Sequence, residues 1–132
     1  MRAVVLAAVG GFDESFRAGG DDVELTWRLR RLGHETAFVP DAVVRYRERP
    51  GWRAAARQAY GYGRQDPRLF RAFRGDGMPP SGWGRAAGSW AHLAVLAPRY
   101  WRTAPGRAQW VRSVGRRAGR IIGSWEQRCL YL

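Results

Sequence analysis

The sequence predicts an α/β chain that passes into a mainly helical, basic extension. Three observations predict it. Apolar residues recur at helical spacing in several stretches, and two short runs, residues 35–39 and 42–47, read as strands. Acidic and basic residues balance at eight each through residue 50. Residues 51–132 then hold fifteen Arg against Asp66, Asp76 and Glu126, so the whole formal excess of +12 lies there. A length of 132 residues suits one small domain, and a hydrophobic share of 45% excludes wholesale disorder.

The elements follow in order. Residues 2–9 fit a strand or the last turns of a helix, and their Ala content favours the helix. Gly10-Gly11 breaks the pattern, and residues 12–16 read as a loop held by Phe12 and Phe16. Gly19-Gly20 precedes a helix from Asp22 in which Leu25, Leu29 and Leu32 share a face, with Gly33 ending it. The strand over 35–39 stops at Pro40-Asp41, and the next contains Val43-Val44. A helix is expected over 51–62, ended by Gly61 and Gly63, and Asp66-Pro67 opens another through Phe73. Four glycines with Pro79-Pro80 mark residues 75–84 as a linker. Helices over 85–97 and 107–127 follow. In the second, Trp110, Val114, Ala118, Ile121 and Trp125 form an apolar stripe, with Arg112, Arg116 and Arg120 opposite. Such a stripe packs on the protein's own core or lies on an anionic membrane surface.

All 23 basic residues are Arg, which suits phosphate and carboxylate recognition. The single Cys129 excludes an internal disulfide framework and a cysteine metal cluster. No run reaches about 18 apolar residues, so a spanning helix is not expected. The short apolar run after Arg2 is brief for a signal peptide.

Asp13, Asp21, Asp22 and Glu24 flank flexible glycines and a helix start. Carboxylates there either cap the helix or face a cleft, where one can serve as a general base. Residues alone leave both readings open. The segments GGFDESF at residues 10–16, GGDDVELTWRLRRLGHE at 19–35 and VPDAVVRYRER at 39–49 resemble, in order and spacing, the end of the catalytic domain of family 2 inverting glycosyltransferases. The resemblance implies a fragment of the GT-A (nucleotide-diphospho-sugar transferase) fold over 1–49, helices packing on it over 50–74, the linker over 75–84 and the basic helical region over 85–132. It implies Asp22 as catalytic base, Asp21 as its support or an acceptor-orienting group, and Asp13 on the acceptor side. Trp27 and Arg28 match the family's helix residues, Trp27 in a structural role.

Two departures from the family pattern bear on this. Where relatives often carry a histidine, this chain has Arg45 and Tyr46, so Arg45 or Arg47 is expected to neutralise donor diphosphate charge without binding metal; His34 and His92 do not fill the place. The Gln-x-x-Arg-Trp motif of processive relatives is missing after Gln58, which points to addition of a single sugar. Tyr60 and Tyr62 are candidates for an acceptor groove, with helix packing as the other reading.

The function expected from the resemblance is inverting transfer of one sugar from a nucleotide-sugar donor to a cell-envelope or lipid-linked acceptor. Mg²⁺ or Mn²⁺ would be held mainly by a segment missing from these residues, because no Asp-x-Asp occurs. Met1 reads as an internal or misassigned start, and residues 1–132 alone are expected to be inactive. Location is expected to be cytoplasmic, peripheral on the inner face of the cell membrane, with Arg112, Arg116 and Arg120 toward the lipid. A non-catalytic remnant or interaction module is the alternative. Nucleic-acid binding fits the charge, yet no motif for it is present.

Overall fold

Short breaks around glycine organise the first part. The structure, a computed structural model, describes residues 3–45 and 51–132. Helix α1 (Ala3–Ala8) ends where Gly10 and Gly11 take φ of 77° and 73°, and Gly11 N–H closes on the Leu6 carbonyl at 3.0 Å. Helix α2 (Asp21–Arg31) begins after Gly20, whose φ of 97° suits a residue without Cβ. Three acidic residues occupy its first turn and three Arg its last, matching the helix dipole at both ends. Its end is a Schellman motif: His34 N–H bonds the Leu29 carbonyl at 3.0 Å and Gly33 N–H the Arg30 carbonyl at 2.9 Å. Gly33, at φ 80°, occupies the left-handed position the sequence assigned it.

Residues 34–45 carry neither helix nor strand, and no strand occurs among the described residues. This overturns the α/β expectation, and the GT-A fragment with it. A strand is stable only when a neighbour takes its N–H and C=O groups. Here Ala42 and Val43 N–H turn back locally to Val39 and Asp41 carbonyls, while Phe38, Val43 and Val44 stay exposed. The described part of the run at 42–47 is therefore irregular; residues 46 and 47 lie outside the described residues.

The second part is three helices: α3 (Trp52–Phe73), α4 (Trp83–Tyr100) and α5 (Ala104–Glu126). The two helices expected over 51–73 are one. Gly61, Gly63 and Pro67 lie inside it, and Pro67 is fully buried. Tertiary packing overrides their helix-breaking tendency. A Cβ at Gly63 would stand 1.9 Å from the Arg116 carbonyl oxygen, so the glycine is where α5 comes closest.

Gly115, Gly119 and Gly123 repeat at four-residue spacing on α5 and meet the carbonyls of Ala56, Tyr60 and Arg64 in the same order. The matching order shows that α3 and α5 run parallel, with α4 as the return between them. Ser89 and the Leu93 carbonyl of α4 take hydrogen bonds from Arg117 and Trp110 of α5, both at 3.0 Å. Thr103 caps α5 by accepting the Gly106 N–H at 3.1 Å.

Ion pairs and a small core join the two parts. Phe16, Leu69 and Phe73 are buried together with Trp27 and Met78 against them, and Trp27 stacks on Phe73. Arg31 of α2 reaches the Ala72 carbonyl at the end of α3 and Asp76 just beyond it. The end of the chain folds back: Tyr131 stacks on Phe70, and Ser81 pairs with the backbone of Leu132. That contact, with a 3₁₀ turn at Arg74–Asp76, fastens part of the stretch the composition marked as a linker.

Candidate functional site

The acidic segment lies at the mouth of α2, aimed by glycines on one side and α3 on the other. Gly19 has a φ of 100°, and a Cβ there would stand 2.2 Å from the Tyr62 ring. Only glycine lets the loop press onto Tyr62 in this way. Gly20 lies in turn against Leu69 and Phe16.

The result is an open cleft of about 570 Å³, lined by Asp21, Asp22, Tyr62, Asp66, Arg116 and Tyr131 among others. Asp22 is exposed, and its Oδ1 accepts the Val23 N–H at 2.9 Å, one of the unpaired donors of the first turn. Neither aspartate is the N-cap residue; Gly20 is, with no side-chain cap bond. Capping in the strict sense therefore does not account for the pair, although both carboxylates sit in the favourable field of the helix start.

Glu24 belongs to the framework instead. It is buried and gripped by Arg28, with Nε to Oε1 at 2.9 Å and Nη2 to Oε2 at 2.7 Å. The same guanidinium donates to the Val9 and Gly11 carbonyls, tying α2 to the end of α1. Hydrogen bonding to Glu24 raises the Arg28 pKa further above its ordinary value.

Asp13 is likewise engaged away from the cleft. It accepts the Ser15 N–H at 2.9 Å and the Ser15 hydroxyl at 2.5 Å, and Arg68 stands 3.7 Å away. The Ser15 bonds hold its carboxyl below the usual carboxylate range. Arg68 also lies over the Phe16 ring and donates to Ser15, so the GGFDESF loop is fastened onto α3.

The two tyrosines separate. Tyr62 lines the acidic cleft and accepts a hydrogen bond from Gln58 at 2.8 Å. Tyr60 is half-buried, and its backbone carbonyl faces Gly119 in the helix seam; it does not line the acidic cleft. Arg45 is exposed in the irregular segment, and Arg47 lies outside the described residues.

The Arg series on α5 is not a free basic face. Asp66, buried on α3, accepts from Arg116 Nε at 3.0 Å and Nη2 at 3.1 Å, and from Arg120 Nε at 2.7 Å. Arg120 and the exposed Arg116 thus both reach the same carboxylate, because a buried carboxylate needs paired cations. Bonding to Asp66 raises the Arg116 pKa. Arg112 lines a second groove between α3 and α5. The lower half of the apolar stripe is correspondingly outside: Ile121, Ile122 and Trp125 are exposed, and the buried α5 face is Gly119, Gly123 and Ser124.

Sequence reasoning missed Asp66, Arg116 and Tyr131 as walls of the cleft. A faint signal existed, since Asp66 is one of three acidic residues after residue 50. Among the described residues no three His, Cys, Asp or Glu side chains come together to hold a metal ion. No helix among the described residues is long and apolar enough to cross a membrane.

Residues 1–60 match the family model described as glycosyltransferase like family 2. The matched stretch carries α1, the acidic loop, α2 and the first part of α3, so Tyr62, Asp66, Arg116 and Tyr131 come from beyond it. No curated protein and no solved structure matches the chain.

Proposed function

With residues 1–60 carrying part of a glycosyltransferase family 2 domain, we propose that the acidic cleft receives the acceptor hydroxyl in inverting transfer of a single sugar from a nucleotide-sugar donor. The coarse role, glycosyl transfer, has the family match behind it. One observation supports the finer reading: Asp21 and Asp22, from the matched region, line a cleft together with Tyr62 and Arg116.

In this reading Asp22 takes the acceptor proton while the acceptor oxygen forms its bond to the anomeric carbon. The bond to the nucleoside diphosphate breaks on the opposite face. Asp21 holds the acceptor in register, and Tyr62 offers a ring against which a sugar can lie. Arg45 and Arg47 are our assignment for the charge developing on the leaving diphosphate. Asp22→Asn removes the base while keeping the shape, so it is expected to abolish transfer with folding intact. Retained transfer in that variant would sink the assignment.

We assign the acceptor to the cell-envelope or lipid-linked class, with the protein peripheral on the inner face of the membrane. Support comes from a surface patch: Trp83 and Trp125 are 71% and 80% exposed, beside Ile121 and Leu130, in the part of the chain that carries the positive excess. Exposed Trp next to Arg suits the headgroup region of an anionic leaflet. With Arg116 and Arg120 engaged by Asp66, we place this patch beside Arg112 as the lipid-facing surface.

A further inference from the structure

We propose that α4 is an in-plane docking helix, whose exposed apolar face lies flat on an anionic lipid leaflet. The inference rests on the membrane reading above and deepens it, naming the helix and its orientation; it is independent of the sugar-transfer assignment.

Contacts settle one side of α4. Ala86 and Leu93 are buried, and Ser89 and the Leu93 carbonyl meet Arg117 and Trp110 of α5. About a quarter turn away, Trp83, Trp90 and Trp101 recur at spacings of seven and eleven residues, which are nearly whole numbers of turns. Trp101 is the C-cap and keeps helical φ and ψ, so it stays in that line. The three rings are 71%, 36% and 52% exposed. Ala87, Ala91, Ala94, Val95 and Pro98 continue the exposed apolar surface outward from them. Arg85, His92 and Arg99, also exposed and seven residues apart, form the far edge.

Trp along one edge, small apolar residues between and Arg along the other suit a helix seated at the headgroup boundary. Rings at that depth keep their bodies among acyl chains and their N–H groups in the wet layer. An in-plane seat also agrees with a helix that is not apolar enough to cross a membrane. Charge selects the leaflet. Between Asp76 and Glu126 the sequence holds eight Arg and no acidic residue, a stretch that anionic headgroups attract.

A second copy of the chain fits the face less well. The 18 residues of α4 span about 27 Å, and a strip about 10 Å wide would bury roughly 550 Å² over two copies, short of the ~1,000 Å² of a specific interface. Two such Arg-rich stretches would also meet with like charge. At its Trp83 end the face joins the patch of Ile121 and Trp125, since all three residues line one cavity.

Co-sedimentation of the full chain with mixed phosphatidylcholine and phosphatidylglycerol vesicles tests this, with phosphatidylcholine vesicles in parallel. Ala91→Glu with Val95→Glu puts two carboxylates in the middle of the face. Thr36→Glu with Ala37→Glu makes the same charge change at exposed positions of the first part. Binding to the mixed vesicles is expected, about tenfold or more weaker on phosphatidylcholine alone and in the α4 pair, and near the parent in the control pair. Should the α4 pair fail to fold, as thermal melting would reveal, Val95→Glu alone takes its place, with a loss of about threefold or more. Binding kept in the α4 variant, or lost equally in the control, overturns the proposal. So does a lipid-free dimer in sedimentation velocity that the α4 variant dissolves. The α4 variants retain Trp83 and Trp125, and no sugar transfer enters the readout, so failure of this helix is visible apart from failure of the patch or of the base assignment.

Discussion

Asp66 shows how much one carboxylate can organise. Buried on α3, it draws Arg116 and Arg120 across the helix seam and leaves Arg116 shared between two clefts. Asp66→Asn keeps the volume and removes the charge. It is expected to destabilise the fold by about 1–3 kcal/mol, less than a fully buried pair because Arg116 is partly solvated; chemical denaturation measures it. Asp13 acts differently. Its carboxyl is held below the usual range by Ser15, so its contribution is present above the ordinary carboxylate pKa and lost as pH falls through the lowered value. Melting temperature in Asp13→Asn should therefore lose part of its dependence below about pH 4, and an unchanged acid profile would contradict the role. The sequence pattern brought attention to Asp21 and Asp22 but could not separate them from Glu24 and Asp13, because all four carboxylates lie close along the chain. Only the fold reveals that Arg28 and Ser15 occupy the latter two.

The helix seam decides the behaviour of elements. Close approach of α3 and α5 depends on glycines that composition alone marks as breaks. Gly119→Ala would put a Cβ 2.2 Å from the Tyr60 carbonyl oxygen. The helices must part, at an expected cost of about 1–3 kcal/mol. Gly88→Ala on α4 meets nothing within 4 Å and should stabilise by about 0.5–1 kcal/mol through helix propensity. Paired melting curves check both signs, and similar shifts would contradict the seam. Local signals were sound where a single element settles its own ends, as at Gly33 and in the helix from Asp22. They failed where a partner decides. Gly61, Gly63 and Pro67 read as a boundary, yet α5 packs along them and keeps α3 whole. The runs at 35–39 and 42–47 have strand composition, but their described residues have no sheet to join. The glycine spacing of α5 was visible in the sequence and lay hidden behind the more conspicuous Trp and Ile stripe.

At the scale of the molecule, the family-matched first part supplies the acidic loop, and the Arg-rich second part supplies Tyr62, Asp66, Arg116 and Tyr131 to the same cleft. The positive excess was legible from residue counts. Its division between Asp66, the α3–α5 groove and the outer surface was not, because helical spacing fixes faces but not neighbours. The outer aromatic patch leads to a prediction at this scale. Replacing both Trp83 and Trp125 by Ala should lower sedimentation with anionic vesicles by about tenfold or more while leaving the melting temperature near that of the parent. Binding unchanged by the double replacement would remove the membrane assignment.

The central claim is that Asp22 is the base of a sugar transfer, and acceptor-dependent release of nucleoside diphosphate from a panel of nucleotide sugars tests it most directly. The protein should be purified from its source cells, with and without Asp22→Asn. When the donor-binding segment is supplied with it, the parent should release nucleoside diphosphate and the variant about 10²–10⁴-fold less, with melting temperature unchanged, while residues 1–132 alone stay inactive. Equal release in the two, or none from any donor with the parent, would contradict it.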